Sequence, residues 1–273
     1  MHEIVSKTAE LVGRVRYVTE NAGRGDLSWL APIPDEVNEL AEEIDGLRQA
    51  WHGEGKPSHW KGHDEQVFGI VAEIMAAAML REWGAPDWWH APVFNRDFRL
   101  PVDRGGQPPW DLRLAARDGS SPDDWRRVVP GAEAGWNGVH IGSEVKATGF
   151  CEDSKWVARV KEEEYKPHPR LVIFATMMVS LDGMWYRCDD DTGRRRPARP
   201  RWMLPFHWIA SKDVDRTAPT PAGEPLAPLK ACRVFPFPGF RRSDRVTPRT
   251  QLGPELELLT RERLLSLAVV PPA

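Results

Sequence analysis

The sequence predicts an α/β fold in which a central mixed sheet is flanked by helices, and three observations lead to it. Segments 35–50 and 64–83 repeat apolar residues at three- and four-residue spacing, the period of a helix with one buried face. Residues 170–179, RLVIFATMMV, form a nearly unbroken apolar run of strand length, as expected of a strand covered on both faces. Between these lie strand-like segments at 90–100, 110–116 and 139–148, separated by turn-rich sequence. With a helix expected over 153–164, the order is helix, three strands, helix, strand. That order implies an antiparallel start and a crossover into a parallel strand.

Taken in order, residues 1–20 read as a short helix or a frayed start. In 35–50, Val37, Leu40, Ala41, Ile44 and Leu47 supply the apolar face, Pro34 precedes it, and acids crowd the first turns, where the helix dipole favours them. Residues 51–63 form a Gly/His/Trp loop. Over 64–83 the expected buried stripe is Val67, Ile70, Val71, Ile74 and Ala78, and Gly84 and Pro86 stop the helix. Residues 117–138 are a polar, glycine-rich excursion. Trp156, Val157 and Val160 give the apolar side of the helix expected over 153–164. Beyond residue 180, WMLPFHWIA at 202–210 is apolar but holds Pro205, 213–230 reads as a proline-rich linker, 231–240 as short apolar pieces, and 254–268 as a final helix. One domain over 1–273 accommodates this, with a core at about 64–180 and an irregular extension over about 181–273.

Composition narrows the function classes. The net charge of −3 argues against a uniformly sticky polyanion binder, but the charge is divided. Residues 1–150 hold 16 Lys and Arg against 24 Asp and Glu, and residues 151–273 hold 21 against 16. The basic half includes Arg194, Arg195, Arg196, Arg199 and Arg201, a local group able to meet phosphates. No apolar run of about 18 residues occurs, so no membrane span is expected. Three cysteines without a CxxC and no apolar leader fit a cytoplasmic protein. His59 and His63 sit beside Trp60 and Gly62 and read as loop residues, and NAGRGD lacks the strand and lysine of a phosphate-binding loop.

The chemistry concentrates in PPWDLRL, which holds Asp111, and in HIGSEVK, which holds Glu144 and Lys146. Strand side chains alternate, so Glu144 and Lys146 share one face while Val145 points to the other. Phosphodiester hydrolysis needs an oriented water, neutralised charge on phosphate and a stabilised leaving oxygen. A hard divalent cation on carboxylates supplies much of this. Asp111 and Glu144 are the expected ligands, the Val145 carbonyl is a third oxygen, and Lys146 can orient the water or steady the charged phosphate.

With these residues the chain resembles the PD-(D/E)XK nuclease superfamily, the restriction-endonuclease-like fold, over roughly residues 64–178. In that superfamily an acid on one core strand and the E-x-K of the next build the metal site. The resemblance gives Asp111, preceded by Pro-Trp, the first role and Glu144, Val145 and Lys146 the second. Asp97 and Asp103 are rivals for the first acid. Glu73 matches the acid often supplied by the preceding helix, and Thr148 shares the Lys146 face, where it could meet phosphate or a metal-bound water. The 32 residues between Asp111 and Glu144 require a long insertion, which 117–138 can provide. The implied cofactor is Mg²⁺, with Mn²⁺ able to substitute. The implied enzyme is a stand-alone Type II restriction endonuclease, a homodimer cutting double-stranded DNA, with Arg194, Arg195, Arg196, Arg199 and Arg201 as DNA contacts. Three other readings stay open: a structure-specific repair, recombination or phage nuclease, an inert DNA-binding or toxin-like protein on the same scaffold, and a metal-dependent enzyme acting on something other than nucleic acid.

Overall fold

The computed structural model describes residues 2–24, 27–52, 63–83, 88–90, 111–115, 140–149, 156–161, 172–179, 199–224, 231–242 and 247–268. Three helices form one layer. Helix α1 (His2–Arg14) buries Ile4, Thr8, Leu11 and Val12, and α2 (Asp35–His52) buries Val37, Leu40, Ala41 and Ile44. Leu47, expected in that stripe, is instead an exposed apolar residue on α2. Helix α3 (His63–Glu82) is buried on more than the expected stripe. Residues 74–80 are all buried, with Ala72, Ala76 and Ala77 as well as Ile74 and Met75. It packs against both other helices and against the sheet, so an apolar surface nearly all round is what its position demands. Its four alanines in the run 72–78 let these neighbours approach closely.

The main sheet is mixed, as the sequence predicts. Its strands are β1 (Glu20–Arg24), β2 (Leu27–Pro32), β3 (Trp88–His90), β4 (Leu112–Ala115), β5 (His140–Gly149), β7 (Val172–Val179), β8 (Trp202–Met203), β9 (His207–Ala210) and β11 (Glu257–Leu258). The order runs β1-β2-β8-β7-β5-β4-β3, and β9, flanked by β11, pairs with the other half of β7 on the β8 side. Among these strands only β5 and β7 run parallel, in register Ser143↔Val172 through Gly149↔Met178. The helix expected within residues 1–20 is α1, and the hairpin β1–β2 follows in a stretch where the sequence suggests no element. Polar and without a β-branched or aromatic residue, ENAGR has little strand character of its own. Strand β3 occupies 88–90, and the rest of the strand expected over 90–100 lies outside the described residues, as does the excursion 117–138.

Pro205 explains why 202–210 reads as apolar yet broken. Met203 pairs with Met178 and His207 with Ala175, so the chain from 203 to 207 takes one more residue than the stretch of β7 it faces. The extra residue is a β-bulge at 204–206, a place where a proline costs the ladder no donor. Around it, Leu204 N–H donates to Met177 O at 2.9 Å, the Thr176 hydroxyl donates to Leu204 O at 2.7 Å, and Phe206 N–H donates to the Tyr17 hydroxyl at 3.2 Å.

The two faces of the sheet bury different cores. Leu112, Val145, Phe174, Met178 and Trp208 face the helices. Ile173, Ala175, Met177, Val179 and Ile209 face Ala158, Val160, Phe235 and Phe237. These last four belong to β6 (Val157–Val160), β10 (Arg233–Pro236) and the residue after it, and β6 and β10 form a separate two-stranded antiparallel sheet. The helix expected over 153–164 is therefore wrong at 157–160, which is a strand. Its run VARV buries Val157, Ala158 and Val160 on both faces, because the small sheet is covered on one side by the main sheet and on the other by Phe240 and Leu252, which pack on Val157, Cys232 and Val234. Apolar residues on both sides of a short segment fit either period, and the partner strand decides. Short helices α4 (Ser211–Asp215) and α5 (Arg261–Ala268) complete the described elements. Helix α5 lies within the segment expected to be helical at 254–268, whose first part instead carries β11. No helix among the described residues is long and apolar enough to cross a membrane.

Candidate active site

Strands β4 and β5 bring three of the four expected catalytic residues into one local structure. The two strands pair with Leu112 opposite Ser143. At Asp111 the chain bends out of that ladder. Its N–H donates to Ser143 O at 2.9 Å, and its Oδ2 accepts the N–H of Val145 at 2.8 Å. A side-chain carboxylate thus takes the place of a main-chain acceptor where β4 begins. One residue of a strand presents its N–H and C=O to the same edge. The Val145 carbonyl therefore lies on the Asp111 edge of β5 too, away from β7.

On β5, Val145 packs in the helix-side core, and Glu144 and Lys146 share the opposite face, as alternation requires. Lys146 Nζ donates to Glu144 Oε1 at 2.7 Å. The Glu144 side chain is 0% exposed and that of Lys146 is 18% exposed, so the solvent-facing part of the pair belongs to the lysine. Asp111 is buried as well. Thr148 lies two residues beyond Lys146, half-buried, at a position of the same parity. Glu73 is half-buried near the middle of α3, the helix layered on the Val145 side. The backbone thus assigns it to the other layer from the Glu144–Lys146 face.

These residues fit a hard divalent cation. Two carboxylates on adjacent strands and one carbonyl are an all-oxygen donor set, the kind that suits Mg²⁺ or Mn²⁺ completed by water. Among the described residues no group of three or more His, Cys, Asp or Glu side chains gathers as a metal cluster. A cation here would rest on Asp111, Glu144 and the main chain at Val145.

One further side chain shares this face. Lys146 is level with Ala175 on β7, and Ala175 with His207 on β9. Their separation in sequence left no spacing that could join them. The His207 Nδ1 lies 2.8 Å from the Pro205 carbonyl, which can only accept, so the ring proton sits on Nδ1 in the neutral form. Burial lowers its pKa from 6.5 to about 4, against a smaller opposing pull from that carbonyl. The unfolded chain binds a proton near pH 6.5 that the folded imidazole refuses until about pH 4. Stability is therefore expected to fall as pH drops through this window, by roughly 3 kcal/mol in full, and to level off below it. Urea unfolding across pH 4–7 should show that slope flattened in His207→Gln. Parallel profiles for the two proteins would remove His207 as its source.

The expected DNA contacts divide. Arg194, Arg195 and Arg196 lie outside the described residues. Arg199 donates two hydrogen bonds to Glu42 on α2, at 2.7 and 2.8 Å, with Glu39 at 3.9 Å. This pairing raises its pKa, the Glu42 hydrogen bonds being the largest cause. A phosphate at Arg199 would have to displace those carboxylates. Arg201 is exposed, and its carbonyl accepts from Ile33 N–H at 2.9 Å.

No protein-family model, no curated protein and no solved structure matches this chain.

Proposed function

We propose that the chain is a metal-dependent endodeoxyribonuclease with a restriction-endonuclease-like core, cutting duplex DNA at a specific sequence as a homodimer. The observation that carries this is the local assembly of Asp111, Glu144 and Lys146: one carboxylate anchored on the Val145 N–H, another bonded to the Lys146 ammonium at 2.7 Å. Asp111, Glu144 and the Val145 carbonyl would hold Mg²⁺, or Mn²⁺ in its place. Bound there, the cation would neutralise phosphate charge and lower the pKa of a water. Lys146, held charged beside Glu144, would orient the attacking water and stabilise charge on the phosphate oxygens. The water oxygen bonds to phosphorus, the P–O bond to the leaving sugar breaks, and that oxygen takes up a proton. Thr148 would contact phosphate from the same strand, and Arg194–Arg196 with Arg201 would bind the DNA backbone.

The complete burial of Glu144 favours a second reading, in which the pair is a structural ion bridge and the protein binds DNA without cutting it. Supercoiled plasmid separates the two. The wild type is expected to nick or linearise it with Mg²⁺ and not with EDTA, and Asp111→Asn to lower the rate by about 10²-fold or more. Equal cleavage by Asp111→Asn would overturn the site, and binding without cleavage would leave the second reading.

A further inference from the structure

The small sheet β6–β10 and its flanking turns differ in charge from the rest of the chain. Residues 156–161, 231–242 and 247–253 hold six Lys and Arg and no Asp or Glu, in a protein of net charge −3. Ala158 and Val160 point into the core shared with the main sheet, and Val157 packs in the outer cluster with Cys232 and Val234. Alternation puts Arg159 on that outer side, with Lys161 exposed just past the strand end.

Two turns bring further arginines to the same layer. Phe240 and Leu252 pack on the outer cluster, and the residues beside them carry Arg241, Arg242 and Arg249, all exposed. Gly239, at φ +76°, turns the chain immediately before Phe240. Arg242 ties the turns together, its Nη2 donating to Thr247 O at 2.5 Å and Thr250 O at 3.1 Å. Glu224 also reaches this layer, where its carboxylate accepts from the Thr247 hydroxyl. Arg241 and Arg249 are thus presented from braced turns rather than loose chain. The acids Glu162–Glu164 follow Lys161 outside the described residues, so the turns carry more of the charge asymmetry than the strand end does.

We infer that the layer of turns over the outer side of the β6–β10 sheet, with Arg241 and Arg249 and with Arg159 and Lys161 at its edge, is a docking surface for the phosphate backbone of duplex DNA. This rests on the nuclease reading above and adds residues other than 194–201. Arginine predominates, and its planar fork matches two phosphate oxygens better than an ammonium does.

The test is fluorescence anisotropy of a labelled 30-bp duplex in EDTA, with KCl varied, for the wild type and for Lys161→Gln/Arg241→Gln/Arg249→Gln. The three side chains are exposed, and equal thermal melting of the two proteins would verify the fold. The triple variant is expected to bind at least about ten-fold more weakly near 0.1 M salt. Its slope of log K against log salt should shrink by about 0.9 for each phosphate no longer neutralised. An unchanged affinity and slope would overturn the surface while leaving the nuclease reading, which Mg²⁺-dependent cleavage decides separately. Wild-type binding to phosphatidylserine vesicles but not to the duplex would overturn it as well.

Discussion

Lys146→Ala is expected to abolish DNA cleavage and, at the same time, to destabilise the fold. The second effect follows from the burial of Glu144, which is 0% exposed and has the ammonium 2.7 Å from its Oε1. Removing the ammonium removes the opposite charge of a desolvated carboxylate, a change that costs about 3–5 kcal/mol in buried pairs. The partial exposure of Lys146 and the other groups around the pair put the expected loss at the low end, about 3 kcal/mol. Glu144→Gln/Lys146→Met removes both charges together and should recover much of that stability. Catalysis should not recover, because both the ligand and the phosphate-stabilising ammonium are gone. Urea unfolding of the wild type, Glu144→Gln, Lys146→Met and the double variant would give the coupling energy, expected at about 1–3 kcal/mol. A coupling near zero would mean that the bond contributes nothing to the fold, and cleavage by the double variant would remove both residues from the chemistry.

Phe174→Ala is expected to be the most destabilising core substitution, at about 3–5 kcal/mol. Phe174 is fully buried on β7, level with Val145 on β5 and Trp208 on β9, facing the helices. Its ring fills the space beneath α3, and strands on both flanks keep that space from closing. A drop in the urea midpoint without a change in slope would be the signature. A loss under about 1 kcal/mol would mean that the helical layer settles onto the sheet and fills the cavity.

The parts of the fold legible in the sequence are those where local pattern and tertiary demand agree. The helices expected over 35–50 and 64–83 are α2 and α3, and the strands expected over 139–148 and 170–179 are β5 and β7, which pair in parallel. The face-sharing of Glu144 and Lys146 was legible for the same reason, since two-residue alternation fixes it once a strand is assigned. Elsewhere the deciding interaction is remote. The run VARV becomes a strand because β10 pairs with it about 75 residues later in the chain. ENAGR becomes one because LSWLAP folds back on it, and the β2 end then docks on β8. The bond from the Val145 N–H to Asp111 was hidden because it crosses strands at a bend, where neither period nor spacing speaks. The level row Lys146–Ala175–His207 depends on a register shift at Pro205, which a sequence does not display. The partners of Arg199 were hidden similarly: a basic cluster reads as available to phosphate until the acids of α2 are placed beside it.

Digestion of fully sequenced plasmid and phage DNA with Mg²⁺, wild type beside Lys146→Ala, tests the proposed nuclease most directly. Discrete fragments from the wild type alone, with ends mapping to one recurring sequence, are the expected result. Identical fragments from both proteins, or no cleavage of modified and unmodified DNA by the wild type, would contradict it.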